Sequence, residues 1–252
     1  MSVDLPSELV SALDSAAATT RLLVTSDFDG TLAPIVNNPA DARPLPAAAQ
    51  ALVALADLAA TTTALISGRA LETLRELSSM PATVHLIGSH GAEFDSGFAH
   101  DIDHDLLRAI TDRLRAIASD KPGVAVETKP ASVALHVRNA SPADGEAALA
   151  AAWEAAPEWE AHVTTGKAVL EFAVIDTDKG EAVDILRGEC DATAVVFFGD
   201  DVTDEKAFAR LRGNDVGVKV GPGDSAAGYR IGSPDDVAAA LEHLVASRKR
   251  FA

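Results

Sequence analysis

Cysteine is almost absent from this 252-residue chain: Cys190 stands alone. One thiol excludes an intramolecular disulfide and any multi-cysteine metal site, so Cys190 reads as a core or near-surface residue. Basic residues are also scarce, with 21 Lys and Arg against 38 Asp and Glu and a formal net charge of -17. That balance argues against nucleic-acid binding, which usually leaves a basic footprint. It does not exclude a phosphorylated substrate, because one local cation and a few backbone N–H groups override a distant field. Missing too is any apolar run of the ~18–20 residues that would cross a bilayer. The N-terminus is not basic and leads into no apolar signal region. The expectation is a cytoplasmic monomer with no membrane and no nucleic-acid partner. The hydrophobic fraction of 48 % is ample for a core, and nothing in the composition points to extended disorder.

Four apolar segments end at polar turns, most of them Gly-containing: 22–26 before Asp27, 62–66 before Ser67-Gly68-Arg69, 84–87 before Gly88-Ser89-His90-Gly91, and 194–198 before Gly199-Asp200-Asp201. Short apolar runs alternating with helical patterns predict a doubly wound, Rossmann-like parallel sheet with helices on both faces. The helices are predicted at 47–60, 71–78, 179–187 and 204–211, the first entered through Pro44 and Pro46. In open α/β sheets ligands bind outside the carboxyl ends of the strands, where these polar residues recur. The middle differs. Helices at 103–118 and 142–155 alternate with strand pairs at 124–128 with 132–137 and 160–164 with 168–174. This αββαββ run predicts an α+β module inserted at 99–174 into a core of 1–98 and 175–252. Such a module often acts as a lid that excludes water and selects substrate.

The strongest local signal is Asp27-Phe28-Asp29-Gly30-Thr31. Alternate residues of an extended segment face the same way, so one carboxylate can attack phosphorus while the other protonates the leaving oxygen. An acidic turn at a strand end explains the pair alone equally well. A second cluster, Gly199-Asp200-Asp201-Val202-Thr203-Asp204-Glu205, follows another strand. Asp27 and Asp200, with the backbone carbonyl of Asp29, suit Mg2+, which takes one or two carboxylates plus phosphate and water oxygens. Asp201, Asp204 and Glu205 also read as a cap for the next helix. Ser67-Gly68-Arg69 offers a hydroxyl, a backbone N–H and a helix start, which together suit an anion. Lys179 opens a helix, where a cation opposes the dipole; neutralising a carboxylate and a phosphate gives it a reason to be there. A solvated side chain is the plain alternative.

In order, these elements resemble the haloacid dehalogenase-like (HAD) phosphatases. The stretches D-F-D-G-T-L-A-P-I-V (27–36), G-S-H-G-A-E (88–93), E-T-K-P-A-S-V-A-L-H-V-R (127–138), G-K-A-V-L-E-F (166–172) and G-D-D-V-T-D-E (199–205) are similar to the trehalose-6-phosphate phosphatase family. The resemblance runs from about residue 22 to 229. It implies an HAD core with a cap of the C2B kind, and hydrolysis of a sugar phosphate with Mg2+. By it Asp27 is the nucleophile, Asp29 the general acid/base, and Asp27, Asp29 and Asp200 the metal shell. Ser67 and Lys179 hold the phosphate, and Asp204 supports Lys179 or a metal-bound water. His90 and Glu93 lie where core meets cap. Lys129, His136, Arg138, Lys167 and Glu171 line the cap face over the sugar. From the bare residues, Lys129 and Lys167 are also ordinary hairpin lysines, and His136 and Arg138 a polar strand face shared with Glu171. Ser225 stands where the family usually has threonine. No synthase-like segment precedes residue 20, so a free-standing phosphatase is expected. Sucrose-6-phosphate and glucosyl-3-phosphoglycerate are alternative substrates. A glycosyltransferase fits the early D-F-D poorly, and a receiver-like signalling domain fits neither the S-G-R element nor the insertion.

Overall fold

The structure is a computed structural model and describes residues 5–166 and 168–251. The chain divides into two units, 1–97 with 177–252, and 98–176.

The first unit is built on a parallel sheet of β1 (Leu22–Ser26), β2 (Thr61–Ile66), β3 (Val84–Ile87), β10 (Ala194–Gly199), β11 (Val216–Val220) and β12 (Tyr229–Ile231). A short pair, β4 (Glu93–Phe94) and β5 (Gly97–Phe98), follows β3. The sheet order is β12-β11-β10-β1-β2-β3, so the chain moves outward one way through β2 and β3 and the other way through β11 and β12. Every residue of β1 and β10 is buried, as expected of strands covered on both faces. Alternation sorts them. Leu22, Val24, Val196 and Phe198 pack with α1 (Ser7–Ala17), α2 (Pro46–Ala56), α3 (Leu71–Ser78) and α8 (Pro234–Arg248), through Leu13, Leu52, Leu74 and Leu241. Leu23, Val195 and Phe197 face α6 (Lys179–Glu189) and α7 (Glu205–Arg210), through Val183, Leu186 and Phe208. The core therefore lies on both faces of one sheet. Its order reverses between β1 and β10, which puts a crevice at their carboxyl ends.

The second unit carries α4 (His104–Ala118), β6 (Ala125–Thr128), β7 (Ser132–His136), α5 (Pro142–Ala155), β8 (His162–Gly166) and β9 (Val169–Ala173). Its antiparallel sheet has the order β6-β7-β9-β8. Val133, Leu135, Leu170 and Phe172 pack on Ile110, Leu114, Ala148 and Ala152 of the two helices. Asp103 and Ser141 cap those helices by accepting from the amides of Leu106 and Asp144. The other sheet face carries Glu127, Ser132, His136, Thr164 and Glu171, brought together by the register Glu127↔Ala134↔Glu171↔Thr164.

Several elements differ from the sequence reading. The helix expected over 47–60 stops at Ala56, and Ala60, with a left-handed backbone (φ 51°), turns the chain into β2. The strand expected over 132–137 ends at His136, so Arg138 lies in an exposed turn and not on the strand face with His136. The helices α1 and α8 and the strands β11 and β12 had not been anticipated.

Candidate active site

The crevice collects the ends of four strands. Asp27 follows β1 directly, and its amide donates to the carbonyl of Phe198 at 2.9 Å, carrying the β1–β10 pairing one residue further. Its carboxylate is buried (4 % exposed). Facing it, Lys179 reaches from the first residue of α6 and donates to Asp27 Oδ1 at 2.6 Å and to Asp204 Oδ1 at 2.7 Å. The unfavourable helix start is thus offset by two carboxylates, and the solvated reading of Lys179 is excluded by its 2 % exposure. Asp204 is fully buried, and its other oxygen accepts the amides of Asp200 and Asp201 at 2.9 Å each. One carboxylate therefore shapes the turn after β10 and anchors the lysine. Asp201 accepts from the Val202 amide as a helix cap. Glu205 opens the first turn of α7, as read, and also accepts the Ala226 amide at 2.8 Å, which ties down the 221–229 loop.

Asp200 points back across the crevice, where the Thr31 hydroxyl donates to its Oδ1 at 3.3 Å. Gly30 makes that approach feasible: its φ is +86°, and a Cβ there would collide with the Asp200 carboxylate. Oxygens of Asp27, Asp200 and Asp204 lie within 4.8 Å of one another. Burial first, then the charge of Asp204, pushes the Asp27 carboxyl well above the usual range, against the pull of Lys179. Burial and the charges of Asp204 and Asp201 likewise raise Asp200. Burial alone would lower the Lys179 ammonium, but Asp27 and Asp204 outweigh it and hold it above the ordinary lysine value. The two raised carboxyls and the raised ammonium agree physically. One cation shared among crowded carboxylates leaves negative charge uncompensated, and hard oxygen donors of this number and spacing fit a divalent cation such as Mg2+. Both oxygens of Asp204 are engaged, which leaves Asp27 and Asp200 as the carboxylates able to turn to an ion.

Asp29 stands apart from that cluster. Arg69 clasps its carboxylate with Nε at 2.6 Å and Nη2 at 2.7 Å, and also donates to the Pro39 carbonyl at 2.9 Å. The guanidinium lies 5.7 Å from the centre of the Phe28 ring. Arg69, expected in an anion cradle, is thus engaged with the second Asp of D-x-D. Ser67 is buried (1 % exposed), and its hydroxyl accepts the Arg69 amide at 3.2 Å. His90, at φ 58°, donates its amide to the Ser67 carbonyl at 2.9 Å, and a Cβ at Gly68 would run into its ring. The Gly88–Gly91 turn therefore braces the S-G-R turn. Glu93, expected where core meets cap, accepts the Leu71 amide at 2.8 Å and caps α3.

In the second unit Lys129 donates to both oxygens of Glu171 at 2.9 Å, and the Ser132 hydroxyl adds a third bond at 2.6 Å. The pair is largely shielded, so Lys129 is not a free hairpin lysine. His136 Nε2 meets Glu127 at 2.8 Å. Lys167 lies outside the described residues. Sequence reasoning missed Lys219, a buried lysine within β11 whose signal was a single charge in the apolar run Val216-Gly217-Val218-Lys219-Val220.

The architecture is that of the haloacid dehalogenase-like fold. A solved haloacid dehalogenase-like hydrolase from Bacteroides thetaiotaomicron superposes with a TM-score of 0.68 over 88 % of this chain and 99 % of that one, at 15 % identity. The C-terminal domain of the C. albicans trehalose-6-phosphate phosphatase reaches a TM-score of 0.78 over 94 % and 97 %, at 24 % identity. Sequence narrows the class. The family model described as Trehalose-phosphatase matches residues 25–231, and the chain belongs to that family. It is 36 % identical over 246 residues to the trehalose-phosphate phosphatase of Mycobacterium avium (strain 104), covering 89 % of this chain and 62 % of that protein. It is 34 % identical over 228 residues to the trehalose-6-phosphate phosphatase of Escherichia coli (strain K12), covering 86 % and 84 %. The chain spans about six-tenths of the length of the trehalose-phosphate phosphatases of Mycobacterium avium and Mycobacterium marinum.

Proposed function

We propose that the chain hydrolyses trehalose 6-phosphate to trehalose and phosphate. The observation that carries the reading is the buried Asp27–Lys179–Asp204 set at the β1–β10 crevice of a chain of this family, with Asp200 beside it. In this reading Asp27 Oδ attacks phosphorus and the bond from phosphorus to the sugar oxygen breaks. Asp29 delivers a proton to that leaving oxygen, giving trehalose and an aspartyl phosphate on Asp27. Asp29, now a carboxylate, takes a proton from water. The water oxygen attacks phosphorus, the phosphorus–Asp27 bond breaks, and phosphate leaves with Asp27 regenerated. Arg69 orients Asp29, giving up one of its two bonds to the carboxyl when Asp29 carries the proton. Lys179 holds the nucleophile and offsets phosphate charge, while Ser67 and the Gly68 backbone bind phosphate oxygens. Asp27 and Asp200, with the Asp29 carbonyl, would hold Mg2+, which when bound neutralises the charge that gathers on the transferring phosphoryl group. Asp204 orients Lys179 and the Asp200 turn.

Sugar selection falls to the second unit, through Lys129, Glu171 and His136 at its polar sheet face together with Arg138 and Lys167. The Lys129–Glu171 pair supports this, because prepaired charged groups give directed bonds to sugar hydroxyls. The protein works as a cytoplasmic monomer on a small sugar phosphate, without nucleic acid or membrane; no helix among the described residues is long and apolar enough to cross one. The test is phosphate release from trehalose 6-phosphate, sucrose-6-phosphate and glucosyl-3-phosphoglycerate, each with Mg2+ and with EDTA. Release confined to trehalose 6-phosphate and abolished by EDTA is expected. No release from any of the three sinks the phosphatase, and equal rates on all three remove trehalose from it.

A further inference from the structure

Lys219 occupies the fourth position of β11, in register with Gly199 of β10, and is only 5 % exposed. Its neighbours Val218 and Val220 belong to the hydrophobic core. Its ammonium donates to the backbone carbonyl of Asp200, in a short bond, and to that of Val220 at 3.3 Å. Among the described residues it forms no ion pair. A buried ammonium held only by carbonyls is costly, and a methionine of similar length would satisfy the strand at less cost. Stability of β11 therefore does not account for a lysine here.

What the ammonium does hold is Asp200. The Asp200 amide is fixed by Asp204 Oδ2 at 2.9 Å and its carbonyl by Lys219, so the peptide groups on either side of its Cα are tied. Thr31 Oγ1 touches its carboxylate at 3.3 Å, and the missing side chain of Gly30 leaves the space it fills. Removing the carbonyl anchor leaves the peptide between Asp200 and Asp201 held on its amide side alone, by Asp204 Oδ2 at 2.9 Å, and the turn that aims the carboxylate loosens.

We infer that Lys219 is a positioning residue that locks Asp200 in the orientation needed to bind a divalent cation. The inference rests on the reading of Asp200 as a metal ligand. Its sign separates it from simple electrostatics. As a bare positive charge near the site, Lys219 would repel the cation, and its removal would tighten binding. As an anchor, its removal weakens binding, and groups behind metal ligands typically contribute 10–100-fold in affinity.

The experiment is calorimetric titration of Mg2+ into metal-stripped wild type, Lys219→Met and Lys219→Gln. The expected result is about tenfold or greater weakening in Lys219→Met, with Lys219→Gln, which keeps a donor without the charge, in between. Each variant's Mg2+-induced rise in thermal midpoint, taken from its own metal-free value, gives the same ranking even where the fold is less stable. In turnover, the Mg2+ concentration for half-activation rises by a like factor, while kcat at saturating Mg2+ falls less. Lys219→Met binding Mg2+ as tightly as wild type, or more tightly, overturns the inference. Wild type that takes up no Mg2+ removes the metal reading, and this one with it.

Discussion

Replacing Lys179 with methionine tests the electrostatic design of the site without touching a carboxylate. The ammonium sits between Asp27 and Asp204 at 2.6 and 2.7 Å, and the three side chains are 3 %, 6 % and 0 % exposed. Methionine matches the length of the stem, so packing is nearly kept while two buried carboxylates lose their counter-charge. Breaking a buried ion pair on one side costs about 3–5 kcal/mol, mostly from the charge left behind. Screening by water gives little discount at this burial. In a chain of this size each kcal/mol moves the thermal midpoint by about 2–4 °C, so a fall of roughly 6–20 °C is expected. Differential scanning calorimetry of metal-stripped protein at neutral pH reads it. The double variant Lys179→Met with Asp204→Asn should recover part of the loss, since it removes one stranded charge. A midpoint within about 2 °C of wild type, or a double variant no better than the single one, would refute the idea that one buried cation balances these carboxylates.

Other expectations follow from the same geometry. Burial, then Asp204, raises the Asp27 carboxyl in the metal-free fold, so the folded state binds more protons than the unfolded chain. That contribution is fully present below the ordinary Asp value of about 3.9 and is lost as pH rises through the raised one. The midpoint of metal-free Asp27→Asn should therefore gain on wild type as pH rises from acid to neutral; a difference that shrinks with pH would contradict the assignment. Arg69→Lys keeps the charge but breaks the two-pronged clasp on Asp29. A fall in kcat of about 10–100-fold is expected from the loss of one charged hydrogen bond, and steady-state kinetics showing kcat unchanged would release Arg69 from that role. Gly30→Ala places a methyl group against the Asp200 carboxylate at a φ of +86°. It should raise the Mg2+ requirement of turnover, and an unchanged Mg2+ titration would mean the turn accommodates the methyl.

The sheet and the crevice were legible because their signals are local. The apolar runs 22–26, 84–87 and 194–198 end at polar residues, and the structure ends or nearly ends its strands there. Asp204 and Asp200 are four residues apart, so their partnership was within reach of the motif. Partners far apart in sequence were not. Nothing near Arg69 says that its guanidinium turns to Asp29, forty residues earlier, and nothing near Glu93 says that it caps a helix starting at Leu71. β11 was missed because Gly217 and Lys219 interrupt its apolar run, and only the tertiary fold shows that the lysine is buried against Asp200. The end of β7 was misjudged by one residue, which is enough to move Arg138 from a sheet face into a turn.

The most direct test of the account is the covalent state of Asp27 during turnover. Protein mixed with trehalose 6-phosphate and Mg2+ is quenched in acid within one turnover, digested, and examined by mass spectrometry. The account predicts one phosphoryl group on the peptide that contains Asp27, and none in Asp27→Asn. Phosphate released with no phosphorylated peptide, or with the label on another residue, would contradict it.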